Sequence, residues 1–545
     1  MKFPGVLLFL ICFAPIASLP AQKKTQLKGV IRDARTGDAL PGASIYTNIR
    51  PPVGTFSADN GEFQLDIAGD YLDSINVSLV GYALYKFKYK DKAAPIVISL
   101  QQSRVLLNDV EINEKPIVAE EFVINRLDYL AVVTNPASSA DPLLAVRTLP
   151  SSSNQDESAS ISFRGSDPLQ TGVILNGVPV YDGVKFAQLS GIGTFSIFNP
   201  QLIKSVLVFP SNPPLEYGNV GSGLIDLTTD SKTEKAYVQT SVGLANSGVV
   251  AGIPTRHGGM FTVYSNYQNS TLIKGANPKS FSMINSLGLN DAGIHFSQKT
   301  KGGLIAKVFS YAISETYSYQ FLSPSIEDNY KYNKKRLLNV LSLEKFYNKT
   351  DFSIYAGQSY SIANGDIGNF ITNQRNIDYY GSLNFRYFAN DNWSFRAGIS
   401  YDHRAIRTEG QFPIKIYALS DSSGSYNDTI KISRTLVEGY AYGKFKLNRI
   451  LASIGVRKNL AVYQVQNYFS VQGNVRLNIN SSQYLNFSGG QYNTYATLSP
   501  AAFVLSISSR SIGLIKAGEV HLVFRCTLKR RQDYSRQIPV GLRRT

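Results

Sequence analysis

The chain has 545 residues and a formal net charge of +16 at pH 7, and its mean hydropathy is −0.10. This length suggests several domains or one large barrel with attachments, and the composition is too polar for a bundle of membrane helices. Nine Lys or Arg side chains lie in residues 510–545, against one Glu and one Asp. Because no basic stripe is interleaved with aromatic residues, the composition disfavours a nucleic-acid-binding protein.

Residues 1–21 have the pattern of a secretory signal peptide: Lys2 precedes an apolar run at residues 6–13, and a plausible cleavage site follows Ala21. A membrane anchor is the alternative, but the apolar run is short for a membrane-spanning helix. The exported chain would keep Cys526 as its one cysteine, which excludes an intrachain disulfide.

Short alternating runs separated by turn clusters predict a small β-sandwich of the transthyretin or immunoglobulin-like type for residues 22–101. The segments GVI (29–31), LPGA (40–43), DNGEF (59–63) and VGY (80–82) resemble the carboxypeptidase-regulatory-like domain. The resemblance implies no peptidase activity. It implies a receptor of the Bacteroidota type, in which this domain often precedes a plug. A generic cell-surface sandwich stays open.

Residues 161–228 combine short β-type runs with Asn-Gly, Pro-Pro and Gly-x-Gly turn signals. The motifs ISFRG (161–165), NGVPV (176–180), NP (199–200) and EYGNVGSG (216–223) follow in this order. Together they resemble the plug domain of TonB-dependent outer-membrane receptors, which implies an α+β plug over residues 117–230. The plug motif residues are Gly165, Gly177, Glu216, Tyr217, Gly218, Gly221 and Gly223. Tight turns alone would also explain the glycines.

Residues 102–116 are a predicted linker that contains a short acidic and β-branched run. In the resembled family, a short extended segment before the plug, the TonB box, pairs edge-to-edge with the periplasmic protein TonB. Such pairing needs free backbone donors and acceptors. The candidate TonB box consists of Asp109, Val110, Glu111, Ile112 and Asn113. An ordinary linker strand stays open.

The resemblance also implies a role for Arg164, because in the family the arginine of this motif ion-pairs with barrel glutamates and helps to hold the plug. Glu344 and Glu438 are the candidate partners, since each is in phase with polar neighbours on its strand. Losing one partner of such a pair in a partly dry interface can cost several kcal/mol. An ordinary surface arginine is the alternative.

From about residue 231 the pattern changes to alternating strands of about ten residues joined by polar turns. Leu383, Phe385 and Tyr387, for example, are apolar, whereas the residues between them are polar. An antiparallel transmembrane β-barrel requires this alternation, although a soluble sandwich has the same period. The 33 Tyr and 29 Phe residues fit the aromatic girdles of a membrane barrel.

Residues 231–509 are predicted to form the barrel strands. Even the whole of residues 231–545 is long enough for only about 14–16 strands, whereas barrels of the resembled family have 22. Residues 510–545 lose the alternation and read as an atypical basic tail. They also lack the terminal aromatic residue that is usual in outer-membrane proteins. The sequence therefore predicts an incomplete barrel and a C-terminally truncated chain.

No catalytic or metal-binding constellation stands out in the sequence. The four His residues are scattered, and a P-loop, a GxSxG elbow and paired cysteines are absent from the sequence. We therefore expect no enzymatic activity, no cofactor and no metal.

These features predict a TonB-dependent receptor of the outer membrane that imports a scarce solute by energy-coupled movement of its plug. The resemblance implies as partners the TonB complex, outer-membrane lipid and a small solute of the siderophore, cobalamin, glycan or peptide class. A surface lipoprotein is a further expected partner. A surface binding or adhesion protein and a non-functional truncated receptor fragment stay open.

Overall fold

The computed structural model describes residues 24–34, 36–47, 53–68, 74–79, 82, 84–88, 96–101, 122, 125–154, 158–187, 193–230, 233, 235–244, 246–255, 258–279, 282–323, 326–415, 418–460, 468–480, 483–495 and 516–527. The chain divides into two compact units, Met1–Glu114 and Lys115–Thr545. The predicted signal peptide and residues 109–113 lie outside the described residues.

The first unit contains seven strands in two sheets, of order β4-β1-β7 and β3-β2-β5-β6. The strands are β1 (Lys24–Asp33), β2 (Ser44–Thr47), β3 (Gly54–Phe56), β4 (Glu62–Ala68), β5 (Ser74–Ser78), β6 (Tyr85–Lys88) and β7 (Ile96–Leu100). Ile31 from the first sheet and Ile45 and Val77 from the second are buried in one hydrophobic cluster. Two sheets around one core make a small β-sandwich, as the turn spacing predicted. Its assignment to the carboxypeptidase-regulatory-like domain stays a prediction.

Residues 125–230, called the plug below, form a mixed sheet with short helices. The sheet has the order β10-β9-β14-β13-β8, and β11 and β12 form a separate ribbon. The strands are β8 (Asn125–Asp128), β9 (Gly172–Leu175), β10 (Val178–Pro179), β11 (Val184–Ala187), β12 (Gly193–Ser196), β13 (Ile203–Phe209) and β14 (Leu224–Thr229). The helices are α1 (Tyr129–Thr134), α2 (Pro142–Arg147) and the 3-10 turns Pro136–Ser138, Pro168–Gln170 and Pro200–Leu202.

Fourteen strands of the second unit form one sheet that follows chain order from β15 to β28. All neighbouring pairs are antiparallel. The strands are β15 (Tyr237–Val242), β16 (Asn246–Thr255), β17 (Gly259–Asn269), β18 (Ile284–Lys299), β19 (Leu304–Ser323), β20 (Ile326–Phe346), β21 (Thr350–Ile367), β22 (Phe370–Phe388), β23 (Trp393–Pro413), β24 (Ser425–Leu447), β25 (Ile450–Leu460), β26 (Phe469–Asn480), β27 (Gln483–Tyr495) and β28 (Lys516–Thr527). The mainly β fold with a plug and a large antiparallel sheet confirms the predicted fold class.

The large sheet extends into the region that the sequence predicted as a basic tail. β28 pairs with β27 from Lys516, opposite Tyr495, to Thr527, opposite Tyr484. A strand ladder is made by backbone groups, so the loss of side-chain alternation after residue 509 does not prevent pairing. The boundary at residue 510 therefore does not mark the end of the sheet.

The two ends of the large sheet differ in the length of their longest connections. At one end, called the short-turn end, the strands are joined through residues 300–303, 347–349, 389–392 and 448–449. At the opposite end, residues 270–283 include the helix α3 (Thr271–Ala276). None of the helices in the described part of the chain is long and apolar enough to cross a membrane.

Side-chain alternation gives the large sheet two different faces. On β22, Leu383 and Phe385 are exposed on the outer face, whereas Asp378 and Ser382 on the inner face are buried. The plug lies against the inner face, where residues of both bodies share one hydrophobic cluster. Period-two alternation thus produces an apolar outer surface and a polar surface that receives the plug.

Candidate functional site: the interface between plug and sheet

The loop that leads into β11 binds the inner face through Asp182. Its carboxylate forms ion pairs with Lys334 and Arg336, both on β20, and Arg336 also donates to the backbone carbonyl of Asp182. Burial alone would raise the pKa of Asp182, but the two cations lower it to about 2. Asp182 is therefore ionised at neutral pH and joins the plug to the centre of the sheet.

The ribbon strand β11 contributes a cation to the interface, whereas Asp182 contributes an anion. Lys185 pairs with Asp291 on β18 at 2.8 Å, and both side chains are at most 10% exposed. The backbone N–H of Phe186 donates to the Glu315 carboxylate at 2.8 Å. Phe186 has a φ of +51°, which places it in the left-handed region. The ribbon is thus held by one ion pair and by a charged acceptor for its backbone.

Tyr181 extends this anchor towards β23 and β24. Its hydroxyl donates to Asp402 at 2.5 Å, and Arg434 donates to the same carboxylate at 2.8 Å. The guanidinium of Arg404 lies 4.0 Å from the centre of the Tyr181 ring and pairs with Asp378 at 2.8 Å. Burial, and then the negative charge of Asp402, raise the pKa of Tyr181 well above its usual value. The phenol therefore stays protonated and acts as the donor.

A second contact region surrounds the EYG motif. Glu216 pairs with Arg396 on β23 at 3.3 Å. Arg457 on β25 donates to the backbone carbonyl of Glu216 at 3.1 Å and pairs with Glu438 on β24 at 2.5 Å. A Cβ atom on Gly218 would lie 2.3 Å from the Glu438 carboxylate and 2.4 Å from the Arg457 guanidinium. The absence of a side chain at Gly218 therefore lets this charged pair approach the plug backbone.

A third contact is made by uncharged groups. The side chain of Asn212 donates to the Asn474 side-chain oxygen at 2.6 Å and accepts from the Tyr492 hydroxyl. Gln472 donates to the backbone carbonyls of Asn212 and Pro213 at 3.2 and 3.0 Å. These groups are buried, so each bond replaces one that water would otherwise supply.

A cavity of about 70 Å³ lies beside the contact region of the EYG motif. Its lining includes Glu216, Tyr217, Glu344 and Arg386. Beside it, the Tyr217 hydroxyl donates to the Asp226 carboxylate at 3.0 Å. Burial raises the pKa of Asp226 to about 7, with nearby Glu216 and Glu344 adding to the effect of burial. The cavity therefore adjoins a plug carboxyl group that titrates near neutrality.

The predicted ion-pair residues Arg164, Glu344 and Glu438 have the following surroundings in the structure. Arg164 is exposed in a turn with a φ of +54°. Glu438 pairs with Arg457, and Glu344 accepts a hydrogen bond from the Tyr355 hydroxyl at 3.1 Å. Glu438 and Glu344 therefore face the plug, and the pairing of either one with Arg164 stays a prediction.

The predicted plug glycines have distinct surroundings. Gly177 has a φ of +85° and lies against the Tyr355 ring, where a Cβ atom would come within 2.6 Å. Gly165 and Gly221 are in turns, and a Cβ atom on Gly223 would lie 2.3 Å from the Phe163 ring. The candidate TonB box lies outside the described residues. The glycines thus support plug packing and its contact with the sheet.

Sequence reasoning missed the anchor formed by Tyr181, Asp182 and Lys185. A signal was present, because YDGVK directly follows the NGVPV motif and brings both charge signs to one short segment. The partner positions had a signal too, since Lys334 and Arg336 occupy alternate positions on a strand with apolar inner neighbours. The sequence alone does not show which strands this segment contacts.

Comparisons with known proteins concern the plug and the overall fold. Residues 131–224 match the TonB-dependent Receptor Plug Domain family. The fold resembles the outer membrane transporter YddB from Escherichia coli, with a TM-score of 0.51, 11% identity, and coverage of 69% of this chain and 62% of that chain. The siderophore receptor PirA from Pseudomonas aeruginosa gives a TM-score of 0.48 at 11% identity, with the same two coverages. PirA from Acinetobacter baumannii gives 0.49 at 12% identity, with 69% and 61% coverage.

No curated protein matches the chain in sequence. The chain spans less than two thirds of the length of YddB, at 62%. The likeness to YddB therefore concerns the fold alone.

A plug seated on the polar inner face of a large antiparallel sheet has the architecture of a plug and the strands of an outer-membrane barrel. The match of residues 131–224 assigns this part of the chain to the plug domain of TonB-dependent receptors. Among the described residues, no group of three or more His, Cys, Asp or Glu side chains could hold a metal ion.

Proposed function

We propose that the chain is a TonB-dependent transporter that imports a scarce solute through the space between plug and sheet. The observation that carries this proposal is the nature of the plug contacts. They include ion pairs and hydrogen bonds, such as Asp182 with Arg336 and Glu216 with Arg396, around a cavity. Water can replace polar contacts of this kind when the plug moves, because it satisfies the same donors and acceptors.

Energy for plug movement would come from TonB, which pairs with the segment formed by residues 109–113. A pull on this segment is transmitted to the plug at β8, which forms the edge of the plug sheet and pairs with β13. The chain performs no bond chemistry in this scheme, and it needs no cofactor. The solute belongs to the siderophore, cobalamin, glycan or peptide class, and a surface lipoprotein is a further partner.

Deletion of residues 109–113 tests this mechanism. We expect the deletion to abolish energy-dependent uptake of the solute, identified from a panel of ferric siderophores, cobalamin, oligosaccharides and peptides. Binding of the solute to whole cells should be retained, because the plug and the strands are unchanged. A matched deletion of residues 102–106 in the same linker serves as the control and should leave uptake intact.

Unchanged uptake after deletion of residues 109–113 would contradict the TonB mechanism. A surface binding or adhesion protein would instead retain the solute at the cell surface whether or not the proton gradient is collapsed. A non-functional receptor fragment would show neither binding nor uptake. The three outcomes are therefore distinguishable in one set of measurements.

A further inference from the structure

Four cations line up across the outer face of the sheet, on strands β20 to β24. Arg375 on β22 lies directly opposite Arg407 on β23, and Arg407 lies directly opposite Lys431 on β24. Lys335 on β20 occupies the same row, with Ile362 of β21 between it and Arg375. The four cationic side chains are exposed and have the phase of the outward-facing residues on their strands. This set of four residues is called the basic row below.

The basic row carries more positive charge than its surroundings neutralise. Glu409 forms ion pairs with Arg407 at 2.8 Å and with Arg375 at 3.9 Å. Among the described residues of β19 to β24, Glu409 is the one carboxylate that faces outward within two positions of the row. The next outward carboxylate, Asp366, lies opposite Lys331. Four cations therefore share a single nearby anion.

This arrangement is unfavourable for the sheet alone, because like charges directly opposite each other on neighbouring strands are destabilising. Arg375, Arg407 and Lys431 occupy three neighbouring strands. A strand spacing of about 4.8 Å places their backbones within about 10 Å of each other. An anion bound across the row would offset the repulsion that Glu409 does not neutralise. The charge pattern thus indicates a negatively charged ligand.

Two levels of exposed aromatic side chains place the basic row relative to a membrane. One level lies near the short-turn end and includes Tyr387, and the other consists of Tyr360, Tyr379 and Tyr401, which are 38%, 44% and 44% exposed. On β22, the distance from Tyr387 to Tyr379 is about 20 Å across the membrane at a strand tilt near 40°, close to the apolar band of about 25 Å between two aromatic girdles. Arg375 lies about 10 Å further on the same strand, which is the level of the lipid headgroups.

The basic row lies towards the end of the sheet that has the longer connections. Residues 270–283 and 414–424 join strands at this end. Outer-membrane barrels have short turns on the periplasmic side and longer loops on the outside of the cell. The basic row therefore faces the headgroups of the outer leaflet.

We propose that the basic row is a binding site for the phosphorylated headgroup of an outer-leaflet lipid. Phosphate accepts paired hydrogen bonds from arginine and suits a cluster of cations. A soluble polyanion is a poorer occupant, because the row adjoins the lipid-facing aromatic side chains, and a lipid is held there at high local concentration by its own acyl chains. The proposal rests on the outer-membrane location in the proposed function but not on transport, so loss of lipid binding and loss of uptake are separate results.

The probe is lipid A, whose sugar headgroup carries phosphate groups. The full-length protein in non-ionic detergent is titrated with lipid A that has two phosphates or with the form that has one, and native mass spectrometry counts the bound lipid. The basic row spans about 19 Å, which leaves room for two phosphates. We therefore expect the form with two phosphates to bind about fivefold more tightly. Equal affinity for the two forms would overturn the proposal, because it would show that the acyl chains alone determine binding.

Two triple variants with the same loss of charge separate the basic row from the net charge of the chain. The variant R375Q/R407Q/K431Q should weaken the binding of lipid A with two phosphates by about tenfold or more, because each cation near the headgroup contributes to its attraction. The matched control K301Q/K349Q/R449Q removes three exposed cations from turns at the short-turn end and should retain the affinity. Equal weakening in the two variants would overturn the proposal, since it would reflect net charge alone.

The variant Glu409→Gln tests the same site through a gain of affinity, which a misfolded protein would not show. It removes the anion that competes for Arg375 and Arg407, so the lipid should bind about fivefold more tightly. Unchanged or weaker binding would contradict the proposed contact.

Two competitors identify the source of the phosphate. Inorganic phosphate at 10 mM, at constant ionic strength, should leave lipid A bound, and displacement would overturn the proposal in favour of a site for free phosphate. A single-stranded oligonucleotide should bind far more weakly than lipid A. Comparable binding of the oligonucleotide would overturn the proposal in favour of a general polyanion surface.

Discussion

The plug contacts the sheet through both an anionic and a cationic side chain. Asp182 binds cations of β20, whereas Lys185 binds Asp291 of β18. A buried ion pair adds little net stability compared with apolar packing, but removal of one partner leaves the other charge without compensation. Single substitutions in the anchor should therefore loosen the plug much more than substitutions at exposed charges.

Asp182→Asn tests this expectation. The change leaves Lys334 and Arg336 without their anionic partner, so we expect it to destabilise the plug by about 3 kcal/mol at pH 7. The measurement is urea-induced unfolding in detergent, followed by protease cleavage within the plug. Asp167→Asn is the control, because Asp167 is exposed and caps the turn Pro168–Gln170 through a bond that Asn can also accept. Equal urea midpoints of plug unfolding for Asp182→Asn and Asp167→Asn would contradict the prediction.

The contribution of Asp182 to the stability of the plug should also decrease at acid pH. Its pKa is lowered to about 2 in the folded chain, below the value near 3.8 of an unperturbed Asp. A carboxyl group with a lowered pKa contributes stability above pH 4, and this contribution is lost as the pH falls towards 2. The difference between the unmodified protein and Asp182→Asn should therefore shrink over that interval. A difference that stays constant from pH 5 to pH 2 would contradict the ion-pair explanation.

The contribution of Asp226 to stability should have the opposite pH dependence, because burial raises the pKa of Asp226 to about 7. The protonated carboxyl group is favoured in the folded state, so its contribution to stability is full below about pH 4 and is lost as the pH rises through 7. Asp226→Asn keeps an acceptor for the Tyr217 hydroxyl and removes the charge. We expect it to stabilise the plug by about 1–3 kcal/mol at pH 8 and to have no effect at pH 4, in the same urea assay.

At the scale of the elements, sequence patterns located the strands better than the start of the plug. Residues 120–133 have helical spacing of apolar residues, which predicts one helix. The structure instead has β8 followed by α1, because β8 pairs with β13 and Asp128 accepts from the Ala131 N–H at 2.8 Å to start the helix. Tertiary strand pairing overrode the local pattern, and pairing with a distant strand is invisible in a short window.

The helix α2 had a clearer signal that could have been used. Asp141 precedes Pro142, and an acidic cap followed by proline at the first helical position is typical of a helix start. The Asp141 carboxylate accepts from the N–H groups of Leu143 and Leu144, at 2.9 and 3.1 Å, and from that of Ser196 at 2.6 Å. The third bond joins the helix to the ribbon strand β12, a contact that the local sequence does not encode.

We therefore expect Asp141→Ala to destabilise the plug by more than the loss of a helix cap alone. A cap is worth about 1 kcal/mol, and a buried N–H left without an acceptor adds about 1–3 kcal/mol. Asp128→Ala, which removes the cap of α1, is the matched control and should cost about 1 kcal/mol. Hydrogen exchange of the Ser196 amide reports the additional contact. Equal exchange rates at Ser196 in the two variants would contradict the proposed link between α2 and β12.

At the scale of the whole molecule, the alternation of apolar and polar residues predicted that the large sheet has two different faces. It could not distinguish a membrane barrel from a soluble sandwich. The structure shows a single sheet whose inner face receives the plug and whose outer face remains apolar. Asp402 and Arg457 on the inner face are partners of the plug. Which plug segment meets which strand depends on the packing of the whole plug, so those pairings could not be predicted.

Strand length provides a test of membrane placement on a single strand. β22 contains 19 residues, whereas a membrane-spanning strand needs about 9–11. Leu383 and Ile371 both point outward and are 54% and 45% exposed. They are separated by about 40 Å along the strand at 3.3 Å per residue. With the aromatic pair of Phe352 and Phe385 near one membrane surface, Leu383 lies within the bilayer and Ile371 beyond it.

We expect Leu383→Arg to cost about 1–2 kcal/mol, between the penalties for the interface and the midplane, and Ile371→Arg to cost about 0 kcal/mol, because the penalty for a lipid-facing arginine depends on depth. Reversible urea unfolding from phospholipid vesicles measures both variants against the unmodified chain. Each change replaces an exposed aliphatic residue on the same face of the same strand, so strand propensity and local packing are matched. Equal penalties at the two positions would contradict the membrane placement, since a face in contact with water would treat both substitutions alike.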